Sequence, residues 1–379
     1  MAKGSIRKRG NKYQITVDVG VDPTTGERKR HYETLPTHPD AERKLAEVIR
    51  QVEAGTYIKE TDKTVHEFLT EWLDLTRRQL RPTTEYVYRS YIKLLEPFLP
   101  KIKAKDLNKR QAESIISSLA DRYKPSTVTV CRRLLSTAFN RGIEWEIIVK
   151  NPFKGIRIKQ ERKEYVVWTP EQVATFLDAV RYSCEHNNGN WSYYVAFCIA
   201  IHAGMRKSEI LGLRWSNVDL ANKQIYVKES IHELYGKGAK HVDDPKSKAG
   251  RRTIIIDDTL AAELERHKSR QQKEEVATPL PPNDYIITTS QLKPIHPRNL
   301  TAVMYRIITA ENLPRLRFHD LRHTHASLLL SAGVSPKVIQ ERLGHSNIQT
   351  TMNIYSHVLP SLQQEAADKI GEMLSLADR

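Results

Sequence analysis

The sequence predicts a multidomain protein: a small β-sheet plus helix at the N-terminus, an all-α middle part and a mainly α (α+β) C-terminal part. The first observation is length, since 379 residues at roughly 150 residues per domain suggest two or three domains. The second is a change from alternating apolar residues to helical spacing near residue 62. The third is residues 156–164 (IRIKQERKE), which are charged, lack core residues and are typical of a linker.

The first part, residues 1–57, has the pattern of a three-stranded sheet packed on one helix. Strands are predicted at Lys12–Val19 and Arg28–Leu35, and the first of them alternates apolar and polar residues. A helix is predicted over Asp40–Ala54, and Gly55 ends it. A unit of this size is barely large enough to fold alone.

The middle part, residues 62–155, is predicted to be entirely helical. Apolar residues recur at helical spacing in four segments, which are Val65–Leu75, the stretch opened by Pro82, Asn108–Leu119 and Ser126–Arg141. The dipeptide Asn151-Pro152 closes this part of the chain.

The last part, residues 165–379, mixes helices and strands. The predicted elements of its first half are helices at about 170–184, at about 191–203 and from near 206, and strands at Gln224–Glu229 and Arg252–Ile256. A long polar excursion separates the two strands. After Thr259 the pattern is helical to the end, broken at Pro279–Pro282 and at Pro294–Pro297. Within it, Leu362–Leu376 has apolar residues four apart and predicts an amphipathic tail helix.

The composition favours a polyanionic partner. The chain carries 60 Lys and Arg against 45 Asp and Glu, a net charge of +15, which favours nucleic acid first and an anionic membrane surface second. Residues 61–160 hold most of the surplus, with 20 basic and 11 acidic residues. This part is therefore the first candidate for contacts to phosphates.

Other features exclude several classes of protein. No apolar run approaches the roughly 18–20 residues of a membrane span, and the basic N-terminus lacks the apolar stretch of a secretory signal. The three cysteines, Cys131, Cys184 and Cys198, fit neither a disulfide framework nor a zinc site. We therefore expect a reduced, cytoplasmic protein with buried thiols, no metal and no membrane partner.

Three short stretches carry residues suited to phosphoryl transfer. They are Ala203–Trp215 (AGMRKSEILGLRW), Phe318–Ala326 (FHDLRHTHA) and Leu343–Ser346 (LGHS), with Tyr355 ten residues beyond His345. Guanidinium groups can clamp the non-bridging oxygens of a phosphodiester under attack and stay charged at any working pH. A tyrosine hydroxyl can attack phosphorus and form a covalent phosphotyrosine, if a histidine or a positive field assists its deprotonation.

The composite pattern R…K…HxxR…H…Y resembles the tyrosine recombinase family, the integrases of lambda-like phages and Gram-positive conjugative transposons. The resemblance covers essentially the whole chain and is strongest over 165–360. It implies a DNA breaking–rejoining enzyme with a tyrosine-recombinase catalytic domain at 165–379. The catalytic residues that it implies are Arg206, Lys248, His319, Arg322, His345 and the nucleophile Tyr355.

The polar excursion resembles the β-hairpin of this family, whose turn lysine protonates the leaving 5′ oxygen. Lys248 is assigned that role, with Lys246 as the alternative. Glu209 and His323 look like residues that lie behind the catalytic groups and orient them.

The resemblance also assigns the two other parts of the chain. Residues 1–57 look like an arm-type DNA-binding domain, whose outward-facing strand residues enter a major groove; here these are Lys12, Gln14 and Thr16. Residues 62–155 resemble a core-binding domain that clamps the duplex together with the catalytic domain. Candidate phosphate contacts in it are Arg89, Lys93, Arg132 and Arg133.

The implied function is integration and excision of a mobile element, such as a phage, through a 3′-phosphotyrosyl intermediate and a Holliday junction in the bacterial cytoplasm. No cofactor is expected, because the covalent bond conserves the energy of the phosphodiester. Implied partners are double-stranded DNA with core and arm sites, a homotetramer joined through the C-terminal tail, an excisionase and a DNA-bending host protein. The alternatives are a chromosome-dimer resolvase, a type IB topoisomerase and a regulator that binds DNA without cutting it.

Overall fold

The computed structural model divides the chain into two compact units, Met1–Glu161 and Arg162–Arg379. The residues that it describes are 3–21, 26–54, 57, 61–159, 166–186, 189–233, 240–243, 251–277, 284–345, 347–348, 352, 367–368 and 370–371. Side chains are described for the same residues except 232–233, 240–243 and 275–277.

An antiparallel three-stranded sheet opens the first unit, in the order β1 (Gly4–Arg9), β2 (Lys12–Val21) and β3 (Arg28–Leu35). Helix α1 (His38–Glu53) packs on one face of this sheet, where Ile15 and Val17 of β2 are fully buried. Thr37 begins α1, because its hydroxyl accepts a hydrogen bond from the Asp40 backbone nitrogen at 3.3 Å. The predicted sheet and helix are confirmed.

Four helices share a second apolar core in the first unit: α2 (Val65–Thr76), α3 (Pro82–Leu95), α4 (Lys109–Ala120) and α5 (Pro125–Glu144). Thr64 starts α2 in a capping box with Glu67, which satisfies two backbone donors. Inside the core, the ring of Phe139 lies 5.4 Å from that of Phe68 and 5.2 Å from that of Phe153, measured between centroids. All four predicted helices are present, close to their predicted ends.

The second unit is mainly helical, with α6 (Pro170–His186), α7 (Trp191–His202), α8 (Lys207–Leu211), α9 (Asp258–Ala277), α10 (Pro297–Ala310), α11 (Phe318–Ser331) and α12 (Pro336–Leu343). Helix α7 is buried on nearly every side because almost all of its residues are apolar. A row of rings runs from Trp168 through Phe176 and Phe197 to Phe318, with centroids 4.9, 5.0 and 5.8 Å apart. Such pairs add about 0.5–1.5 kcal/mol each beyond area burial, and this row anchors the start of α11.

In the described part of this unit, short strands accompany these helices: β4 (Val218–Asp219), β5 (Gln224–Val227), β6 (Ser230–Glu233), β7 (Lys240–Asp243) and β8 (Arg252–Ile255). Strands β4, β5 and β8 form one antiparallel sheet in that order, and β6 pairs with β7 in a separate hairpin. The predicted polar excursion thus contains two further strands. Its residues 234–239 and 244–250 lie outside the described part of the chain.

One predicted helical stretch, between the two proline breaks, is wrong. The backbone there is extended: the Ile286 nitrogen donates to the Leu213 oxygen at 3.0 Å, and the Trp215 nitrogen donates to the Asp284 oxygen at 2.8 Å. Ile286 and the adjacent Ile287 are both fully buried. Pairing with the segment after α8 and burial of successive side chains therefore override the helical pattern.

The cysteines and the helix lengths test two further expectations. Cys131 and Cys198 are buried free thiols, and Cys184 is half-buried rather than buried. Burial raises the pKa of Cys131 to about 11 and that of Cys198 to about 12.

Among the described residues, no helix has the length and apolar content needed to cross a membrane. The predicted tail helix at Leu362–Leu376 falls almost wholly outside the described residues.

Candidate active site

Arg206 stands at the turn between α7 and α8, where it forms the N-cap of α8 rather than lying within that helix. Glu209, only 3% exposed, accepts from the Arg206 backbone nitrogen at 2.9 Å and from its Nη1 at 2.5 Å. A carboxylate at the third position of a helix satisfies a free backbone donor and suits the positive end of the dipole. The same side chain thus caps the start of the helix and contacts the guanidinium of Arg206.

Gly204 shapes this turn, because it has a φ of +63° and contacts two other segments. A Cβ here would lie 2.5 Å from Cδ2 of His325 and 2.7 Å from Cδ2 of Leu343. Only glycine fits both the left-handed backbone and this close approach. Its carbonyl oxygen accepts a hydrogen bond from Nη1 of Arg322 at 2.8 Å.

Helix α11 carries His319 on its first turn and Arg322 one turn later. The helix begins because Asp320 accepts from the Arg317 backbone nitrogen at 2.8 Å, which repeats the arrangement of Arg206 and Glu209. Arg322 is 2% exposed, whereas His319 lies at the surface. The predicted i,i+3 relation therefore puts both on one side of the helix at different depths.

The C-terminal end of α12 holds three arginines through three successive carbonyl oxygens. Arg252 Nε donates to the Arg342 oxygen at 2.7 Å, Arg322 Nη2 donates to the Leu343 oxygen, and Arg206 Nη2 donates to the Gly344 oxygen at 3.1 Å. The last carbonyls of a helix lack partners within it and lie at the negative end of its dipole. This helix end therefore suits cations. Through Arg206 and Arg322 it brings the stretches Ala203–Trp215 and Phe318–Ala326 next to Leu343–Ser346.

Within the described part of the chain, the charge of Arg322 is not matched by a carboxylate. Its guanidinium donates to two backbone carbonyls, its buried Nε has no hydrogen-bond partner, and no carboxylate among the described residues forms an ion pair with it. Burial and the nearby charges of Arg206 and Arg252 hold the pKa of Arg322 well below its usual range. Because buried charges are otherwise paired, this geometry favours an anion as the missing partner.

Among the described residues, Glu209 is the carboxylate that pairs with both Arg206 and Arg252. Its carboxylate also accepts from Arg252 Nη1 at 3.2 Å and Nη2 at 2.9 Å. Although burial alone would raise the pKa of Glu209, the charges and hydrogen bonds of Arg252 and Arg206 lower it to about 2. Glu209 is therefore ionised and holds two guanidinium groups side by side.

Three histidines border the arginines. Desolvation and the charge of Arg322 lower the pKa of His319, although its ring is partly open to solvent. The same two causes, with Arg206, lower the pKa of His345 to about 3, and burial and His319 lower that of His323 to about 4. All three rings are therefore neutral near pH 7 and can accept a proton or a hydrogen bond.

Four of the six residues predicted to be catalytic are within the described part of the chain: Arg206, His319, Arg322 and His345. The first and third are held by one helix end, and His345 directly follows that end. Tyr355, Lys248 and its alternative Lys246 lie outside the described residues.

Sequence reasoning missed Arg252 and Arg342. Arg252 is 6% exposed and grips Glu209 with both terminal nitrogens. Arg342 donates to the Ile255 oxygen at 2.8 Å, the His202 oxygen at 3.0 Å and His325 Nε2 at 3.2 Å. The one available signal is weak: each arginine borders a predicted motif, and isolated arginines in such positions are usually exposed.

The predicted DNA contacts of the first unit lie on two surfaces. On the sheet, Lys12, Gln14 and Thr16 occupy the face opposite the buried Ile15 and Val17, as predicted. Register places Arg9 opposite Lys12 and Arg7 opposite Gln14, which adds positive charge to this face.

On the helices, the predicted phosphate contacts differ in their surroundings. Arg89 is paired with Asp74 at 3.2 Å and with Glu85 at 3.1 Å. Lys93 and Arg133 are exposed, and Arg132 is half-buried with a buried Nε that has no hydrogen-bond partner among the described residues. Across the described residues, no group of three His, Cys, Asp or Glu side chains could hold a metal ion.

A two-part family match agrees with this fold and site. Residues 167–361 match the phage integrase family, and residues 64–120 match the SAM-like N-terminal domain of phage integrases. Since the first match covers more than half of the 379 residues, the chain belongs to this family. Its members are tyrosine recombinases, enzymes that break and rejoin DNA, so the predicted family and enzyme class are confirmed.

Two relatives are similar over nearly the whole chain. A XerC-like tyrosine recombinase of Caldanaerobacter subterraneus is 29% identical over 98% of this chain and 99% of its own length. The ICEBs1 integrase of Bacillus subtilis is 26% identical over 98% of this chain and 100% of its own length.

Solved structures confirm the predicted fold class. The Tn1549 transposon integrase in complex with transposon right-end DNA has a TM-score of 0.67 and 23% identity, and the match covers 77% of this chain and 95% of that one. A lambda integrase tetramer bound to a Holliday junction has a TM-score of 0.57 and 19% identity, with 93% and 94% covered.

Proposed function

We propose that this tyrosine recombinase integrates and excises a mobile element, a phage or a conjugative transposon, at specific DNA sites. The main support is Arg322, a buried guanidinium that backbone carbonyls hold beside Arg206 with no carboxylate partner among the described residues. A scissile phosphate is an anion that the guanidinium groups of Arg322 and Arg206 can bind together.

In the proposed reaction, the Tyr355 hydroxyl oxygen attacks phosphorus and the bond to the 5′ oxygen breaks. His319, whose lowered pKa keeps it neutral, accepts the tyrosine proton. Arg206, Arg322 and His345 stabilise the charge on the non-bridging oxygens. Lys248, or alternatively Lys246, gives a proton to the leaving 5′ oxygen. The 5′ hydroxyl of a partner strand then reverses this step, through a Holliday junction.

The proposed domains are 1–57 for arm-type sites, 62–155 for the core site, a linker at 156–164 and the catalytic domain at 165–379. Support for the arm domain is the sheet face of Lys12, Gln14 and Thr16 beside Arg7 and Arg9. Support for the core domain is the surplus of positive charge in residues 61–160.

Several partners complete the proposal. Four protomers join two DNA sites, and the tail at Leu362–Leu376 connects neighbouring protomers. An excisionase and a DNA-bending host protein set the direction of the reaction. The protein acts in the bacterial cytoplasm and is associated with the nucleoid when it is bound to DNA.

The direct test uses a nicked core-site duplex that traps the covalent intermediate. Wild-type protein is expected to form an adduct resistant to denaturing electrophoresis, whereas Tyr355→Phe forms none and binds the same DNA with unchanged affinity. Cutting by the variant would contradict the assignment of the nucleophile. Absence of an adduct with wild type would instead favour a DNA-binding regulator.

The alternative is a chromosome-dimer resolvase or a type IB topoisomerase. The basic sheet face of the first unit favours an integrase, because a topoisomerase needs no second class of DNA site. Relaxation of a supercoiled plasmid that carries no attachment site would favour the topoisomerase. Recombination between two identical core sites without arm sites would favour the resolvase.

A further inference from the structure

We propose that Arg252 is a positioning residue for the cleavage reaction, which acts through Glu209 on Arg206. This inference rests on the proposed function, because it assumes that Arg206 contacts the scissile phosphate. Arg252 is the first residue of β8, and its side chain is 6% exposed.

The hydrogen bonds that Arg252 makes to Glu209 and Arg342 connect it to the site. Its two terminal nitrogens donate to the two oxygens of Glu209 at 3.2 and 2.9 Å, and its Nε donates to the Arg342 oxygen at 2.7 Å. The planar fork of a guanidinium matches a carboxylate in this geometry, whereas the ammonium of a lysine does not. Glu209 is thereby fixed in the orientation in which its first oxygen meets Arg206 Nη1.

A reciprocal contact locks the same strand to the same helix. While Arg252 of β8 binds the carbonyl of Arg342 at the end of α12, Arg342 Nη1 binds the carbonyl of Ile255, the last residue of β8, at 2.8 Å. The two arginines therefore clamp β8 to α12 from both sides. Because Arg206 and Arg322 are held by the next two carbonyls of α12, this clamp sets the place of both.

Glu209 is shared between Arg252 and Arg206, so loss of Arg252 does not leave Arg206 free of the carboxylate. It removes two of the four hydrogen bonds that these arginines make to the carboxylate, so among the described residues Glu209 is then held by Arg206 alone and positions the Arg206 guanidinium less firmly. A misplaced guanidinium weakens the stabilisation of charge in the transition state more than the binding of the ground state. The expected result is slower cleavage with little change in DNA affinity.

The test measures single-turnover adduct formation on the nicked duplex and DNA affinity by fluorescence anisotropy. The variants are Arg252→Lys, Arg252→Gln, Glu209→Gln and the double variant of Glu209→Gln with Arg252→Lys. The matched control is Arg214→Lys, because Arg214 pairs with Glu229 at 3.0 Å in the same unit and makes no hydrogen bond or ion pair to the candidate site residues that the structure describes. Rates are taken at a temperature at which circular dichroism shows every variant folded, so that stability does not enter the comparison.

We expect Arg252→Lys to cleave on the order of 100-fold more slowly, the loss typical of one transition-state contact, with affinity within about threefold of wild type. The double variant is expected to be no slower than Glu209→Gln alone, because both changes disrupt the same chain of contacts from Arg252 through Glu209 to Arg206. The inference would be overturned if the rate losses of the two single variants multiplied in the double variant. A wild-type cleavage rate for Arg252→Lys, or a loss of DNA affinity alone, would also overturn it. No adduct with wild type would refute the proposed function itself.

Discussion

Replacing Gly204 by alanine tests how the backbone holds Arg322. The new Cβ would lie 2.5 Å from His325 Cδ2 and 2.7 Å from Leu343 Cδ2, on a backbone with φ of +63°. A left-handed backbone costs a residue with a Cβ about 1–2 kcal/mol, and an extra methyl in a packed site costs about 1–3 kcal/mol. Gly204→Ala is therefore expected to lower the free energy of unfolding of the second unit by about 2–5 kcal/mol.

The same substitution is expected to slow cleavage. The Gly204 carbonyl accepts from Arg322 Nη1 at 2.8 Å, so a shift of this turn moves the guanidinium that faces the proposed phosphate. A displacement of about 1 Å at such a group can cost about 100-fold in rate. Gly333→Ala is the matched control, because its φ is +75° and a Cβ there meets nothing within 4 Å.

Calorimetry of the full chain measures the first effect, and single-turnover adduct formation measures the second. Gly333→Ala is expected to cost about 1–2 kcal/mol and to leave the cleavage rate unchanged. Equal destabilisation by the two variants would refute the steric argument. A wild-type cleavage rate in a destabilised Gly204→Ala protein would refute the role of this carbonyl in placing Arg322.

Three further predictions follow from the site, the buried histidines and the first unit. Arg322→Lys keeps the positive charge but loses the two guanidinium hydrogen bonds to backbone carbonyls, so the rate of adduct formation should fall by about 100- to 1000-fold. Anisotropy should show nearly unchanged DNA binding, and a rate loss of about tenfold or less would count against a role of Arg322 in holding the phosphate. Burial and Arg342 lower the pKa of His325 to about 4, against about 6.5 when unfolded. The unfolded chain then binds the proton more readily than the folded chain, so the free energy of unfolding of the second unit should fall as the pH drops from about 6.5 to about 4. This residue should contribute up to about 1.4 kcal/mol for each pH unit in that range. Calorimetry across this range should show a flatter slope for His325→Asn, and an unchanged slope would assign the effect to other groups. Deletion of residues 1–57 should spare cleavage at core sites and impair recombination, because simultaneous arm and core contact raises the effective concentration of the protein; normal recombination by the truncated protein would contradict this.

Much of the fold could be predicted from local pattern. The alternation around Ile15 and Val17 and the helical spacing from Val65 onwards report burial on one face, which is a property of neighbouring residues. The helix that was wrongly predicted between the two proline breaks illustrates the effect of distant residues. Ile286 and Ile287 are buried by a segment some seventy residues earlier in the chain, around Leu213, and no local pattern contains that pairing.

The family and the enzyme class could be predicted from the sequence alone, and the chemistry proposed for the site follows from them. Arginines and histidines in the pattern R…HxxR…H suit the stabilisation of a phosphodiester under attack. Each of them also lies within a short contiguous motif that can be recognised in the sequence. Arg206 and Glu209 could be linked from sequence because they are three residues apart, as are His319 and Arg322.

Only the tertiary structure decided what holds these groups. The three carbonyls at the end of α12 receive arginines from three other segments of the chain, and Arg252 shares Glu209 with Arg206. Contacts between a side chain and a distant backbone carbonyl leave no trace in residue type, since every residue has that carbonyl. The candidate reacting groups can therefore be predicted from the sequence, whereas the placement of those that the structure describes depends on packing that brings α12 against β8, α8 and α11.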